Sequence, residues 1–350
     1  MHKIVRFCNI GRIFLPGLLF IFFSGHWLGL AIGVLNPARA VEFFTMDTEL
    51  PVVMQSAPNP FDGFSFTDKR PVSDTSPPEE NAGYHPSYTV VEEFMPSTAS
   101  DIVLQKDACF VKNLTHHSAR QVKQLMLSPV AFTVEKNSHK PQILIYHTHA
   151  TESYVPTADM PYDPAYSYRS TDTSHNMVAV GKVMADTLNS LGYNTIHDTT
   201  LHDYPSYNGS YDLSKATVES YLAKYPSIRI VLDIHRDAVE RDGALINPVT
   251  TVNGKKCAQL MIISGCDNGY MNMPNYPENL KFATNLQNQL AKDRPGLMRP
   301  VLFDYRNYNQ QLTTGSLLVE VGTHGSTLQQ AKNSAEIFAR SLADMLDKWL

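Results

Sequence analysis

The sequence predicts an α/β domain built on a mostly parallel sheet covered by helices on both faces. Three observations predict it. From Pro141 onward, β-rich apolar runs alternate with stretches of helical period. The runs are continuously apolar, as in strands buried on both faces. Three of them end in bunched ionisable residues: ILIYHTHATESY from Ile143, IVLDIHRDA from Ile230 and LLVEVGTH from Leu317. Open α/β sheets place their sites at the carboxyl ends of strands.

Taken in order, the chain begins with Lys3, Arg6 and Arg12 ahead of the apolar stretch IFLPGLLFIFFSGHWLGLAIGVL. That stretch is about as long as a membrane-spanning helix needs to be. Ala38-Arg39-Ala40 follows and looks like a signal-peptidase site. Residues 1–40 are therefore expected to be a membrane anchor or a signal segment. The apolar length favours an uncleaved anchor and the tripeptide favours release. In both cases the remainder is expected outside the cytoplasm, and with the uncleaved anchor it stays at the cell membrane. Residues 41–100 are expected to be an extracytoplasmic disordered tether. Their stretch from Ser56 to Tyr88 is rich in Pro, Ser, Asp and Glu, with neither helix nor strand period. Residues 101–140 form a short lead-in, with DIVLQKDACFVKNLT strand-like and ARQVKQLMLSP helix-like.

Residues 141–350 are expected to be the catalytic domain. ILIY is its first strand. A helix runs from Asn176 to Leu191, with Met177, Val180, Met184, Leu188 and Leu191 on one face and Gly192 as its stop. A shorter helix from Thr217 to Lys224 precedes the strand IRIVLDI. AQLMIISG reads as one strand, Glu278–Lys292 as a helix, SLLVEVG as a strand and Thr327 onward as the last helix. That helix buries Leu328, Ala331, Ala335, Phe338, Leu342, Met345 and Trp349.

Composition narrows the function. A hydrophobic fraction of 43% in 350 residues supports a full core, and a net charge of −5 carries no nucleic-acid signature. The cysteines are Cys8, Cys109, Cys257 and Cys266, with no CxxC pair, which disfavours a thiolate metal site. Cys257 and Cys266 flank one expected strand and would lie roughly 30 Å apart, too far to bridge. There is no GxSxG, and no cysteine falls in the three charged segments, which leaves a serine or cysteine nucleophile unsupported.

Several histidines and carboxylates at one sheet edge are the make-up of a zinc hydrolase centre. In HTHATES, His149 and Glu152 form an H-x-x-E pair just past a strand, and His147 lies two residues ahead. In DIHRDA, His235 supplies a third ligand, and Asp233 or Asp237 orients its ring. Arg236 is a candidate for gripping a substrate carboxylate, the competing reading being an ion pair with a nearby acid. In LLVEVGTH, Glu320 sits among Leu317, Leu318, Val319 and Val321. It is the expected general base or acid, with a pKa raised by burial, unless it simply pairs with Arg236. His175, at a helix start, rivals the chosen ligands, as does His147. His202 and Tyr204, in the aromatic loop TTLHDYPSYNGSY, are expected to line a substrate groove.

Together, IYHTHATESY, HDTTLHDYPSYNGSY, LDIHRDA, YNQQL and LLVEVGTHGSTLQQA resemble the stage II sporulation protein P family over roughly Val103 to Leu350. The resemblance implies a zinc-dependent N-acetylmuramoyl-L-alanine amidase of forespore engulfment. Such an enzyme cuts between muramic acid and the stem peptide of peptidoglycan, and in some cases cuts cross-links too. It implies a fold similar to zinc muramoyl-alanine amidases and carboxypeptidases. It also implies stage II sporulation proteins D and M as partners. Laid on the amidase pattern, the first ligand falls on His149, the later strand-end histidine on His235 and the late catalytic glutamate on Glu320. The amidase glutamate ligand comes well downstream, where this chain has His175. Glu152 instead matches the tighter carboxypeptidase spacing.

Overall fold

The computed structural model describes residues 19–23, 26–30, 89–156 and 167–349. The chain divides into two compact units, Met1–Thr67 and Asp68–Leu350. In the first, β1 (Leu19–Phe23) and β2 (His26–Leu30) pair antiparallel. This differs from the single helix expected of the apolar segment. Phe and Ile favour extended backbone. No helix among the described residues is long and apolar enough to cross a membrane. The expected tether from Ser56 to Tyr88 lies outside the described residues.

The second unit runs, in order, β3 (Val90–Glu93), β4 (Val103–Lys106), β5 (Cys109–Asn113), α1 (Ala119–Leu125), β6 (Ile143–Tyr146), α2 (Met177–Ser190), β7 (Thr195–His197), α3 (Ser210–Lys224) and β8 (Ile230–Asp237). It continues with β9 (Glu240–Arg241), β10 (Ala244–Val252), β11 (Lys255–Ala258), β12 (Leu260–Gly265), α4 (Tyr276–Asp293), β13 (Val301–Asp304), β14 (Ser316–Thr323) and α5 (Leu328–Asp347). Eight strands form the main sheet in the order β4-β5-β13-β12-β14-β8-β6-β7. β7, β6, β8 and β14 run parallel, so their carboxyl ends meet at one edge. β12 is antiparallel to β14, and it carries β13 and β5 with it in the opposite direction. The lead-in segment supplies β4 and β5, which are one edge of this same sheet.

The expected strand AQLMIISG breaks at Gln259. Its first part, β11, pairs with β10 in a smaller sheet, and β12 joins the main one. β3 lies parallel to β10, so the end of the segment expected to be tether is a strand. Gln259 holds Met95 on both sides, accepting from its N–H at 2.7 Å and donating to its carbonyl at 3.0 Å. Cys109, Cys257 and Cys266 are free and buried.

Strand alternation decides what faces what. Ile143 and Ile145, Ile230, Leu232 and Ile234, and Leu317, Val319 and Val321 all enter one large core with α2, α4 and α5. The opposite face carries Leu144, Tyr146 and Val231 against Val218, Tyr221 and Leu222 of α3. By the same parity Asp233, His235 and Glu320 belong to the α3 face. Farther along that face, half-buried Met261 and Tyr308 pack against Ile263, Leu302 and Leu318. α3 starts at Ser210, earlier than expected, because Gly209 takes a left-handed φ of +85° and turns the loop into the helix.

Gly181 lets α2 approach the sheet. A Cβ there would stand 2.5 Å from His147 Nε2 and 2.7 Å from His197 Nε2. Both rings are tied together at 2.9 Å, and His147 Nδ1 also meets the Ile234 carbonyl at 2.9 Å. Gly181→Ala is therefore expected to lower stability by about 1–3 kcal/mol through overpacking. That outweighs the roughly 1 kcal/mol gain in helix propensity. Chemical denaturation checks it, and a variant as stable as the parent contradicts the packing described.

Candidate active site

Three strand ends build the site. β8 and β14 run in register so that Glu320 and His235 are direct cross-strand neighbours. The register slips between Glu320 and Thr323, and Gly322 at φ +68° sits in that irregularity. A Cβ on Gly322 would meet Ser326 Oγ at 2.5 Å and the Ala258 Cβ at 2.7 Å. Bulges of this kind often re-aim chains beside active sites.

HTHATES leaves β6 and turns back over β8. The Glu152 Oε2 atom accepts the Arg236 N–H at 3.2 Å and lies 3.6 Å from His235 Nδ1. The His149 ring stands edge-on to the His235 ring, centroids 5.3 Å apart. Its Nδ1 faces Ser210 Oγ at 3.4 Å and Asp203 Oδ2 at 4.0 Å. Tyr207 stacks on the same ring at 4.4 Å, and Tyr211 meets it edge-on at 5.4 Å. Burial, then the cationic neighbours His235, Arg169 and Arg236, hold His149 neutral, well below the ordinary imidazole range.

His235 has the opposite electrostatics. Burial disfavours its charge, but Asp233, Glu152 and Glu320 outweigh that and raise its pKa to about 9. Its Nε2 lies 2.9 Å from Asp233 Oδ1, a close charge contact whose alignment falls short of a hydrogen bond. Glu320 is 9% exposed, and its Oε2 is buried without a hydrogen-bond partner. Burial, then Asp237, pushes its pKa to about 8, against the pull of His235 and Arg299. Asp237 is itself paired with Arg299 at 2.7 Å.

Arg236 is engaged with the protein rather than open to a substrate. It donates from Nε to the Ser153 carbonyl at 2.8 Å and from Nη2 to the Tyr168 carbonyl at 3.0 Å. Its Nη1 lies 3.8 Å from Glu152. The nearby acid of the ion pair weighed from sequence is therefore Glu152, and the guanidinium also braces the HTHATES turn. Arg236→Ala is expected to cost about 2–3 kcal/mol, the range for charged hydrogen bonds removed from a buried site. Urea unfolding measures it, and a loss below ~0.5 kcal/mol contradicts the brace.

Other expected residues fall elsewhere. His147 points to the α2 face, where burial and His197 push its pKa down to about 3. Both of its ring nitrogens are engaged there. His175 bonds Asp172 at 2.8 Å and Ser174 at 2.9 Å in its own turn. His202 is buried rather than groove-lining: its nitrogens meet the His147 carbonyl at 2.8 Å and Thr217 Oγ1 at 2.9 Å, fastening α3 to the turn after β6. Tyr204 is half-buried, and the ring from that loop that reaches His149 is Tyr207, 55% exposed. His324 is buried too, 3.3 Å from Glu240.

Sequence reading missed Arg169 and Asp203. Arg169 donates to Asp203 at 2.7 Å and to Thr151 at 3.0 Å, and its guanidinium lies 5.0 Å from the Tyr207 ring. Nothing local in sequence marks Arg169. Asp203 and Tyr207 lay in a loop whose aromatic content was visible.

Among the described residues, no group of three or more His, Cys, Asp or Glu stands close enough together to hold a metal ion. The donor set nonetheless suits one. A neutral imidazole, His149, adjoins a carboxylate, Glu152, and a second imidazole, His235. Three carboxylates raise the pKa of His235 together, so the field at this point favours a cation.

The family model for stage II sporulation protein P (SpoIIP) matches residues 71–343. Stage II sporulation protein P of Bacillus subtilis is 30% identical over 217 residues, which are 59% of this chain and 51% of that protein. The chain thus matches about half the length of that curated relative. Among solved structures, the N-acetylmuramoyl-L-alanine amidase AmiC2 of Nostoc punctiforme aligns with 61% of this chain and 98% of its own, at 14% identity and a TM-score of 0.33. The CwlD amidase of Clostridioides difficile, solved with the GerS lipoprotein, aligns with 59% and 98% at 12% identity and a TM-score of 0.36. With most of the sequence covered by the family model, this chain belongs to the stage II sporulation protein P family.

Proposed function

We propose that the protein is a zinc-dependent peptidoglycan hydrolase that cleaves the amide between N-acetylmuramic acid and the stem peptide during spore engulfment. The observation that carries this is Glu320, a buried carboxylate without a hydrogen-bond partner on Oε2, abreast of His235, which itself adjoins Glu152 and His149. A structural carboxylate would be paired, whereas a proton acceptor gains from an open oxygen and a raised pKa.

His149, Glu152 and His235 would hold zinc. When bound, zinc supplies Lewis acidity toward the scissile carbonyl and a nucleophilic water at neutral pH. Glu320 takes a proton from the attacking water and returns it to the leaving amide nitrogen. Arg236 keeps Glu152 in place through its backbone N–H and braces the turn. Tyr207, exposed beside His149, forms the rim that a glycan or peptide meets first.

In the same reading, the N-terminal segment and the tether keep the enzyme at the membrane, outside the cytoplasm, and stage II sporulation proteins D and M work with it. Mass spectrometry of purified peptidoglycan digested with the protein, with and without a chelator, tests the activity. Glycan strands stripped of stem peptides, lost on chelation, are the expected products. Cross-link cleavage alone would make it an endopeptidase, and intact peptidoglycan would point to a wall-binding scaffold.

A further inference from the structure

Thr148, Ser214 and Asn309 take no part in the reaction above, yet they form a continuous buried chain that ends on a carboxylate beneath His235. Thr148 donates its backbone N–H to Asp233 Oδ1 at 2.8 Å and its hydroxyl to Oδ2 at 2.6 Å. Thr148 Oγ1 lies 2.8 Å from Ser214 Oγ, and Asn309 Nδ2 donates to Ser214 Oγ at 3.1 Å. All four side chains are buried.

The direction of the protons follows from the inventory. An amide nitrogen only donates, so Ser214 accepts from Asn309. Thr148 uses its single hydroxyl proton on Asp233, so it can only accept from Ser214. The alternative target for the Ser214 proton, the Tyr211 carbonyl, is farther away at 3.2 Å. The donors therefore all run one way, from Asn309 through Ser214 and Thr148 to Asp233. The chain joins three elements: the loop before β14, helix α3 and the turn after β6. The YNQQL motif, whose Asn309 starts the chain, thereby gains a role.

We propose that Asn309, Ser214 and Thr148 are positioning residues that act through Asp233 to fix the His235 ring with Nε2 toward that carboxylate and Nδ1 toward Glu152. This rests on the reading of His235 as a metal ligand. The chain grips both carboxylate oxygens of Asp233, so that it cannot turn away from the ring. Partners one step behind a ligand typically change metal affinity by about 10–100-fold when removed.

The test uses the full-length protein, labelled with carbon-13 in its histidine rings. Ser214→Ala removes the middle link while Asn309 keeps its bond to the Tyr211 carbonyl at 2.9 Å. Thr148→Val removes the hydroxyl at similar volume, and Thr148→Ser restores it. Asn309→Asp keeps a side chain that tolerates the left-handed φ of +57° but replaces the donor with an acceptor. In the zinc-free protein, the His235 ring should be rigid in wild type and Thr148→Ser and mobile in the other three. Zinc affinity should fall about tenfold in those three and return with Thr148→Ser. Unfolding of the zinc-free forms identifies any variant that fails to fold, and the remaining variants decide the matter. Unchanged ring mobility, or zinc affinity within about twofold of wild type in the folded variants, overturns the proposal. If wild type binds no zinc while ring order still depends on Ser214, the metal reading fails and the positioning role stands.

Discussion

Glu320→Gln is expected to abolish measurable amide hydrolysis, a loss of about 10²–10⁴-fold, while making the metal-free protein more stable. The two effects share one cause. Glu320 is buried with Oε2 unbonded, beside Asp237 and Glu152, so its carboxyl resists ionisation until a pH of about 8. In the unfolded chain the same group ionises near the ordinary value of 4.5. Between those two pH values the folded state therefore binds the extra proton. Stability falls as pH rises through this window, and it falls because of this residue. An amide of the same shape never ionises and removes that penalty. At neutral pH the gain should be on the order of 1–3 kcal/mol, and it should vanish below about pH 4.5. The measurement is a pair of denaturation series, wild type and variant, across that range. A variant that keeps its activity sinks the assignment of Glu320 as the proton carrier. A variant that loses activity but shows no pH-dependent gain leaves the role intact and removes the electrostatic account of it.

The same residue shows what could be read before the structure. Glu320 interrupts an apolar run, and so do Asp233 and His235. Charge in a strand otherwise destined for the core is costly enough to be a signal by itself. Parity was also legible: Leu318 and Glu320 share one face of their strand, and Val231, Asp233 and His235 share one face of theirs. His147 and His149 share a parity too, yet the chain leaves the strand at Tyr146 and turns between them, so they end on opposite faces. No spacing rule foretells that. His202 misled for a related reason. In a polar, aromatic loop it looks like a surface group, but its ring is buried to bond the His147 carbonyl and Thr217. The reversal of β12 was hidden because a continuously apolar strand carries no mark of its direction. The Asp237–Arg299 pair, which biases Glu320, joins residues far apart in sequence and leaves no local trace.

Metal removal is expected to have the other large effect, and its pH dependence identifies the ligands. Zinc at a thousandfold its dissociation constant should stabilise the folded state by about 4 kcal/mol, provided the unfolded chain does not bind it. Chelation should remove that increment together with the activity. The proton balance makes the expectation sharper. His149 is already neutral, so it releases no proton on binding. His235 carries a proton up to about pH 9 in the metal-free site, and Glu320 beside it up to about 8. A cation held by His149, Glu152 and His235 would take the place of the first proton and disfavour the second. Zinc affinity should therefore rise about tenfold per pH unit or more through the range from 6 to 8. Below pH 7 the steepness should lessen in Glu320→Gln, which has one proton fewer to release. His235→Ala should bind zinc far more weakly, and what binding remains should lose most of the slope. Calorimetric titrations in buffers of different ionisation enthalpy count the released protons directly. A flat affinity profile, or one that steepens only below about pH 5, would mean that the protonated imidazole of His235 is not among the ligands. The cation would then belong nearer the carboxylates of Asp203 and Glu152, where Arg169 now sits.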